Sequence, residues 1–212
     1  MNNTFIKSEF PMSPRRYQMK SRTASIAATR QRIVEATVEL HGQKGIFGTS
    51  WQEIAREADV AVGTVYKHFP SLDELVPACG ELLMERIRPP SPDDADAIIG
   101  DASDVGVRLR RVVRALFDFY KRGGTHLEND PRERELPAVR EWEVFMRGMI
   151  EHFARQALIE HRPSDQDLQL IGALLDFRTY KAMSDRAIPH ADAIEDVVML
   201  IIGRINAQGR TD

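Results

Sequence analysis

Apolar residues recur at helical spacing along almost the whole chain, and no stretch alternates in the two-residue manner of a half-buried strand. In "TRQRIVEATVELHGQKG", Ile33, Ala36, Thr37 and Leu40 share one helical face, with Gly42 and Gly45 as stop signals. "SWQEIAREA" opens with Ser50 and has Glu53 three residues on, the spacing of a capping box in which each side chain satisfies the other's backbone N–H. Trp51, Ile54, Ala55 and Ala58 give that helix its buried face. A third helix follows in "DVAVGTVYKHF", where Val60, Val65 and Phe69 point inward. Ser71 and Glu74 repeat the capping-box spacing before a fourth helix, ended by Pro89 and Pro90, with Pro77 as a kink or a weakened first turn.

Farther along, Val105, Leu109, Val112, Val113, Leu116, Phe117 and Tyr120 form one apolar stripe, and Val139, Trp142, Phe145, Met146, Met149 and Phe153 another. Residues 167–183 and 192–207 read as two helices that are apolar on more than one face. Such helices need partners on both sides, and a symmetry mate supplies the second. Residues 1–25 show no periodicity and read as a flexible basic arm, while the proline-rich, acidic 89–103 reads as a linker or irregular connection.

Composition narrows the function classes. No run approaches the ~20 apolar residues of a membrane span, and the N-terminus lacks the apolar core of a secretory signal, so the chain reads as cytoplasmic and without a membrane partner. Its single cysteine, Cys79, excludes an internal disulfide and reads as a buried small hydrophobe. No phosphate-binding glycine loop, nucleophile elbow or paired-histidine metal motif is present, which leaves no catalytic residue, metal or cofactor to assign. The six histidines are scattered and read as structural or surface residues. The net charge of −3 conceals an asymmetry: residues 1–68 carry ten Lys/Arg against six Asp/Glu, a net of +4, leaving −7 for the other 144. A basic first third fits a polyanion partner met by that part alone.

Three short helices, the second and third separated by about three residues, have the layout of a helix-turn-helix, with "DVAVGTVYKHF" as its recognition helix. Gly63 and Thr64 are small enough to let a backbone approach base edges in a major groove about 12 Å wide. Tyr66, Lys67 and His68 are donors in the last turn, placed for phosphate oxygens, and Val62 lies at the margin.

The segment "GTSWQEIAREADVAVGTVYKHFPSLDELV", Gly48 to Val76, resembles the DNA-binding signature of the tetracycline-repressor (TetR) family, with the likeness running from about Arg30 to Leu83. The resemblance implies an all-α homodimer with an N-terminal three-helix DNA-binding domain and a C-terminal helical domain that binds a small effector and dimerises. On this reading residues 26–70 form the DNA-binding domain and residues 71–212 the effector-binding and dimerisation domain, with the dimer made through the last two helices. Carried onto this chain, Ser50 touches phosphate, Val62, Gly63 and Thr64 face bases, and Tyr66, Lys67 and His68 hold the backbone of double-stranded DNA. Three positions depart from the family's pattern: Asp59 stands where a turn glycine is common, Ala61 where a serine-like cap is usual, and Leu72 where many members have lysine. The basic arm, with Arg15, Arg16, Lys20, Arg22 and Arg30, is the expected source of compensating charge.

For the effector, Phe117, Tyr120, Trp142, Phe145, Met146, Met149 and Phe177 are candidate lining residues, favouring an apolar or aromatic compound. The expected function is a repressor released from a palindromic operator by a small molecule; the alternative is an architectural DNA-binding protein without an effector.

Overall fold

Two apolar cores organise the helices. The computed structural model describes residues 14–128 and 130–208, and residues 1–13 of the expected arm lie outside them. The helices are α1 (Pro14–Lys44), α2 (Trp51–Glu57), α3 (Val62–His68), α4 (Leu72–Ile87) and α5 (Ala95–Ile99) in the first half. They continue as α6 (Val105–Gly123), α7 (Pro137–Ala157), α8 (Asp165–Leu175), α9 (Phe177–Ser184) and α10 (His190–Gln208), with 3-10 turns at Pro92–Asp94, Gly124–Leu127 and Pro131–Glu135. There is no strand among the described residues, and none of their helices is long and apolar enough to cross a membrane.

The first core gathers Ile33, Leu40, Ile54, Val65, Phe69 and Leu75 from α1 to α4. The second gathers Leu109, Leu116, Phe153, Leu168, Ile171 and Ile201 from α6, α7, α8 and α10. Helix α4 belongs to both, since Leu75 and Cys79 pack in the first and Ile87 in the second, so it joins the two units mechanically. Burial pushes the Cys79 thiol up to about 12, which keeps it protonated and unreactive, as a small core residue.

Several local expectations change. Helix α1 reaches back to Pro14, so residues 14–25 are helical rather than irregular. Proline at the first turn costs no hydrogen bond, and no glycine or proline interrupts the next 27 residues. Gly42 lies inside α1, and the stop falls at Gly45, whose φ of +74° suits glycine. Ser71 precedes α4 without a side-chain cap; its carbonyl accepts the Glu74 N–H at 3.3 Å instead of its hydroxyl. The stretch 89–103 is more than a linker: Ala95 and Ile99 of α5 are buried against the second core. Residues 167–183 form two helices, because Asp176 is extended at φ −69°, ψ 150° and its carboxylate accepts the Arg178 N–H at 2.8 Å to start α9.

The seam between the two units is built from side chains far apart in sequence. The His126 ring packs on α1 at Gly42, where an added Cβ would come within 2.4 Å of it. Its Nε2 lies 3.2 Å from the Val38 carbonyl. The buried Glu133 carboxylate accepts the Ile46 N–H at 2.6 Å and the Asp130 N–H at 3.0 Å. His41 is also enclosed here. Burial first, and His126 second, bring its pKa from 6.5 down to about 4.

A lowered histidine pKa means the unfolded chain binds the extra proton between those two values, so stability is full above pH 6.5 and declines as pH falls toward 4. We expect about 2 kcal/mol of pH-dependent loss across that window, allowing for partial exposure. His41→Gln should remove that part of the slope, as read from urea midpoints between pH 4 and 7.

Candidate nucleic-acid interface

Ser50 and Glu53 form the expected box at the start of α2. The serine hydroxyl accepts the Glu53 N–H at 3.3 Å and the Glu53 carboxylate accepts the Ser50 N–H at 3.0 Å. Lys44 of α1 is bound to the same carboxylate, and this contact, more than the serine bonds, lowers the Glu53 pKa to about 2. The pair fixes α2 on α1 and removes Lys44 from the set of free cations facing a ligand.

The turn after α2 depends on one left-handed residue. Asp59 has φ +52°, which lets the Val60 N–H reach the Ala55 carbonyl at 2.9 Å. Aspartate tolerates that conformation better than most residues. Helix α3 then begins without a side-chain cap at Ala61, whose backbone carbonyl accepts the Thr64 N–H at 2.8 Å and the Val65 N–H at 3.3 Å. The helix is held from beneath: Val65 and Phe69 are essentially sealed in the first core, and the Arg30 guanidinium lies 4.7 Å above the Phe69 ring. Arg30 is therefore engaged as a packing residue on α3, not simply as an arm charge. The side chains of Arg15, Arg16 and Lys20 lie outside the described residues, while Arg22 is exposed.

The outward face of α3 carries Gly63, Tyr66 and Lys67. Gly63 is exposed, and a Cβ built there would meet nothing within 4 Å, so its own fold does not demand glycine. The clearance faces whatever lies outside. Lys67 is exposed and Tyr66 is 44% exposed, with its ring 4.9 Å from that of Trp51. That contact pins the phenol of α3 against α2. Val62, Thr64 and His68 are half-buried beside them, and Ser50 is exposed at the adjoining end of α2. Ser50, Gly63, Tyr66 and Lys67 are thus the exposed members of the set, whereas Val62 packs partly against the first core.

The candidate effector residues separate. Tyr120, Trp142, Met146 and Phe177 border an inner cavity of about 650 Å³ between α6, α7 and the break at Asp176. Tyr120 is fully buried at its floor and donates its hydroxyl to the Leu175 carbonyl at 2.8 Å. Phe117 and Met149 face the second core and line neither this cavity nor the one at the seam. Phe145 is 40% exposed and faces a separate cavity at the seam. Nor is the inner lining purely apolar: Arg134 pairs with Glu143 at 2.8 Å and Arg178 approaches the same carboxylate at 3.7 Å. Sequence reading missed this charged rim because its members come from three separate elements. Among the described residues, no group of three or more His, Cys, Asp or Glu is placed to hold a metal ion.

A capped second helix, a tight left-handed turn and a short third helix with a cleared, donor-bearing face define a helix-turn-helix module carried on a larger helical body. Residues 33–79 match the family of bacterial regulatory proteins described as the tetR family. The HTH-type transcriptional repressor KstR of Rhodococcus jostii (strain RHA1) is 40% identical over 58 residues, 27% of this chain and 27% of that protein. The HTH-type transcriptional repressor DrrR1 of Streptomyces coeruleorubidus is 28% identical over 102 residues, 48% of this chain and 35% of its own length. The alignments thus span about a quarter to a third of these curated relatives. The fold is also that of a transcriptional regulator from Rhodococcus sp. Rha1 (19% identity, TM-score 0.59, 85% of this chain and 96% of that one). A multidrug binding protein, EbrR, crystallised with imidazole, is 25% identical with a TM-score of 0.54, covering 81% and 93% of the two chains. Residues 33–79 thus match the DNA-binding domain of tetR-family bacterial regulatory proteins, and the rest of the chain shares the fold of such regulators.

Proposed function

We propose that this protein is a sequence-specific DNA-binding repressor that acts as a homodimer in the cytoplasm and is released from a palindromic operator by a small molecule. The observation that carries the reading is the outward face of α3: Gly63 has empty space in place of a side chain, and Lys67 and Tyr66 stand exposed beside it. A second copy is supported by Leu170 of α8 and Met199 and Leu200 of α10, all large apolar side chains between 45% and 63% exposed. Covering them on a two-fold axis would set two α3 helices to read half-sites one helical turn apart. The effector is assigned to the inner cavity, where aromatic walls meet the Arg134–Glu143 rim. DNA-binding and effector domains divide near residue 70, with α4 carrying motion from one to the other.

Selection from a random duplex pool should enrich a palindrome, and failure to enrich one would overturn the assignment. On the enriched site, Lys67→Ala should weaken binding to all sequences similarly and reduce the slope of log K against log salt by about 1. A loss confined to one base position would instead make Lys67 a base reader. Compounds that occupy the inner cavity should dissociate the complex; an architectural protein would show no such release.

A further inference from the structure

The DNA-binding unit is fastened to the body at a second point besides α4. Glu133, in the Pro131–Glu135 turn of the body, is 2% exposed, and its Oε1 accepts the N–H of Ile46 between α1 and α2 at 2.6 Å. A hydrogen bond to a carboxylate is stronger than one between neutral groups, so this is a firm attachment for a loop backbone. The fit leaves no slack, since a Cβ at Gly45 would come within 2.9 Å of the same oxygen. Beside it, Val76 of α4 meets Leu136 and Val139 of the body in a small apolar cluster, with Ile46 and Leu72 packed against it. Ile46 is therefore gripped by its backbone and by its side chain.

The turn that carries Glu133 is stiff and has a second face. Pro131 begins it and Pro137 begins α7, each with a fixed φ. The other Glu133 oxygen accepts the Asp130 N–H at 3.0 Å, and the Arg140 guanidinium donates to the Arg134 and Glu135 carbonyls at 3.0 and 2.7 Å. Arg134, the next residue, borders the inner cavity and donates its Nε to Glu143 at 2.8 Å. Consecutive side chains of one braced turn thus hold the DNA-binding unit on one side and the cavity rim on the other. A turn so braced passes a displacement on instead of absorbing it.

We propose that Glu133 is a positioning residue for DNA binding: it sets the angle of the DNA-binding unit on the body, and the Arg134–Glu143 pair holds the turn in the position that fits DNA. The second half rests on the assignment of the effector to the inner cavity. An occupant that draws Arg134 away from Glu143 tilts the turn, and the tilt reaches Ile46 through the Glu133 carboxylate. Two half-sites are then met at the wrong separation without any change in the face of α3.

Two measurements on the full chain test this, and neither uses an effector. Without DNA, hydrogen exchange read by mass spectrometry should show the Ile46 amide exchanging about tenfold faster in Glu133→Met, which removes its acceptor at nearly constant volume. Arg134→Met leaves Glu133 in place and should still speed that exchange about threefold, yet add nothing in the Glu133→Met background. The second measurement uses duplexes with two copies of the enriched half-site and a spacer changed by one base pair, a shift of about 3.4 Å. The parent should lose about tenfold in affinity on the changed spacer and Glu133→Met about threefold or less, read as a ratio within each protein so that any uniform loss cancels. If Glu133→Met does not fold, Arg134→Met and Glu143→Gln carry both measurements, with faster Ile46 exchange and a relaxed spacer preference as the expected results. An Ile46 exchange rate unmoved by Arg134→Met, or a Glu133→Met protein as strict about spacing as the parent, would overturn the proposal. The exchange result holds whatever DNA the chain binds, so failure to enrich a palindrome would count against the operator assignment alone.

Discussion

Phe69→Ala is expected to cost the DNA-binding unit about 3 to 5 kcal/mol, the range for deleting a buried aromatic that its surroundings cannot collapse to fill. The ring is 1% exposed, terminates α3 and fastens it to Ile33, Ile54 and Leu75. It also loses the Arg30 guanidinium stacked at 4.7 Å, so both faces of the site are stripped at once. The effect should be confined, because the second core shares no buried residue with the first. The chain's two tryptophans make this measurable: Trp51 packs on the first core and Trp142 on the second. In urea, Trp51 fluorescence in a Trp142→Phe background should shift to a much lower midpoint in the Phe69→Ala protein. Trp142 fluorescence, followed with Trp51→Phe, should move little. Coincident midpoints for both probes would show that α4 makes the two units one cooperative block and would refute the division.

What the sequence made legible follows the range of the interactions involved. The Ser50–Glu53 box, the left-handed Asp59 and the inward pair Val65 and Phe69 are settled within a few residues of each other, and all were readable. The uncapped Ala61 was readable for the same reason. Ser71 and Glu74 show the limit of a spacing rule: the same pattern occurs, but the Ser71 carbonyl already satisfies the Glu74 N–H. Residues 14–25 escaped because apolar periodicity detects only helices with a buried face, and the described side chains there are exposed. The break at Asp176 escaped for the opposite reason: the apolar run continues through it, while a single carboxylate turns the chain. Both cavities and the His41–His126 contact join residues from distant elements, so no local pattern announces them.

The second large effect belongs to a carboxylate inside the helices assigned to the dimer. Asp167 is fully buried, yet it accepts the Ser164 hydroxyl at 2.5 Å and backbone N–H at 3.2 Å, and the Arg204 guanidinium at 2.9 Å. One side chain thus closes the capping box of α8 and ties α8 to α10. Asp167→Ala opens the cap, worth about 1 kcal/mol, and breaks the ion pair. Removing one member of a buried pair costs about 3 to 5 kcal/mol when the other is stranded. Arg204 is 36% exposed and can turn toward water, which places the combined loss near 3 kcal/mol. Asp167→Asn retains an acceptor for the serine and should lose less. If α8 and α10 form the dimer face through Leu170, Met199 and Leu200, loosening their mutual angle must also weaken self-association. Sedimentation should then show Asp167→Ala dissociating at concentrations where the parent protein stays dimeric, and a stability loss without any change in association would separate the ion pair from the interface.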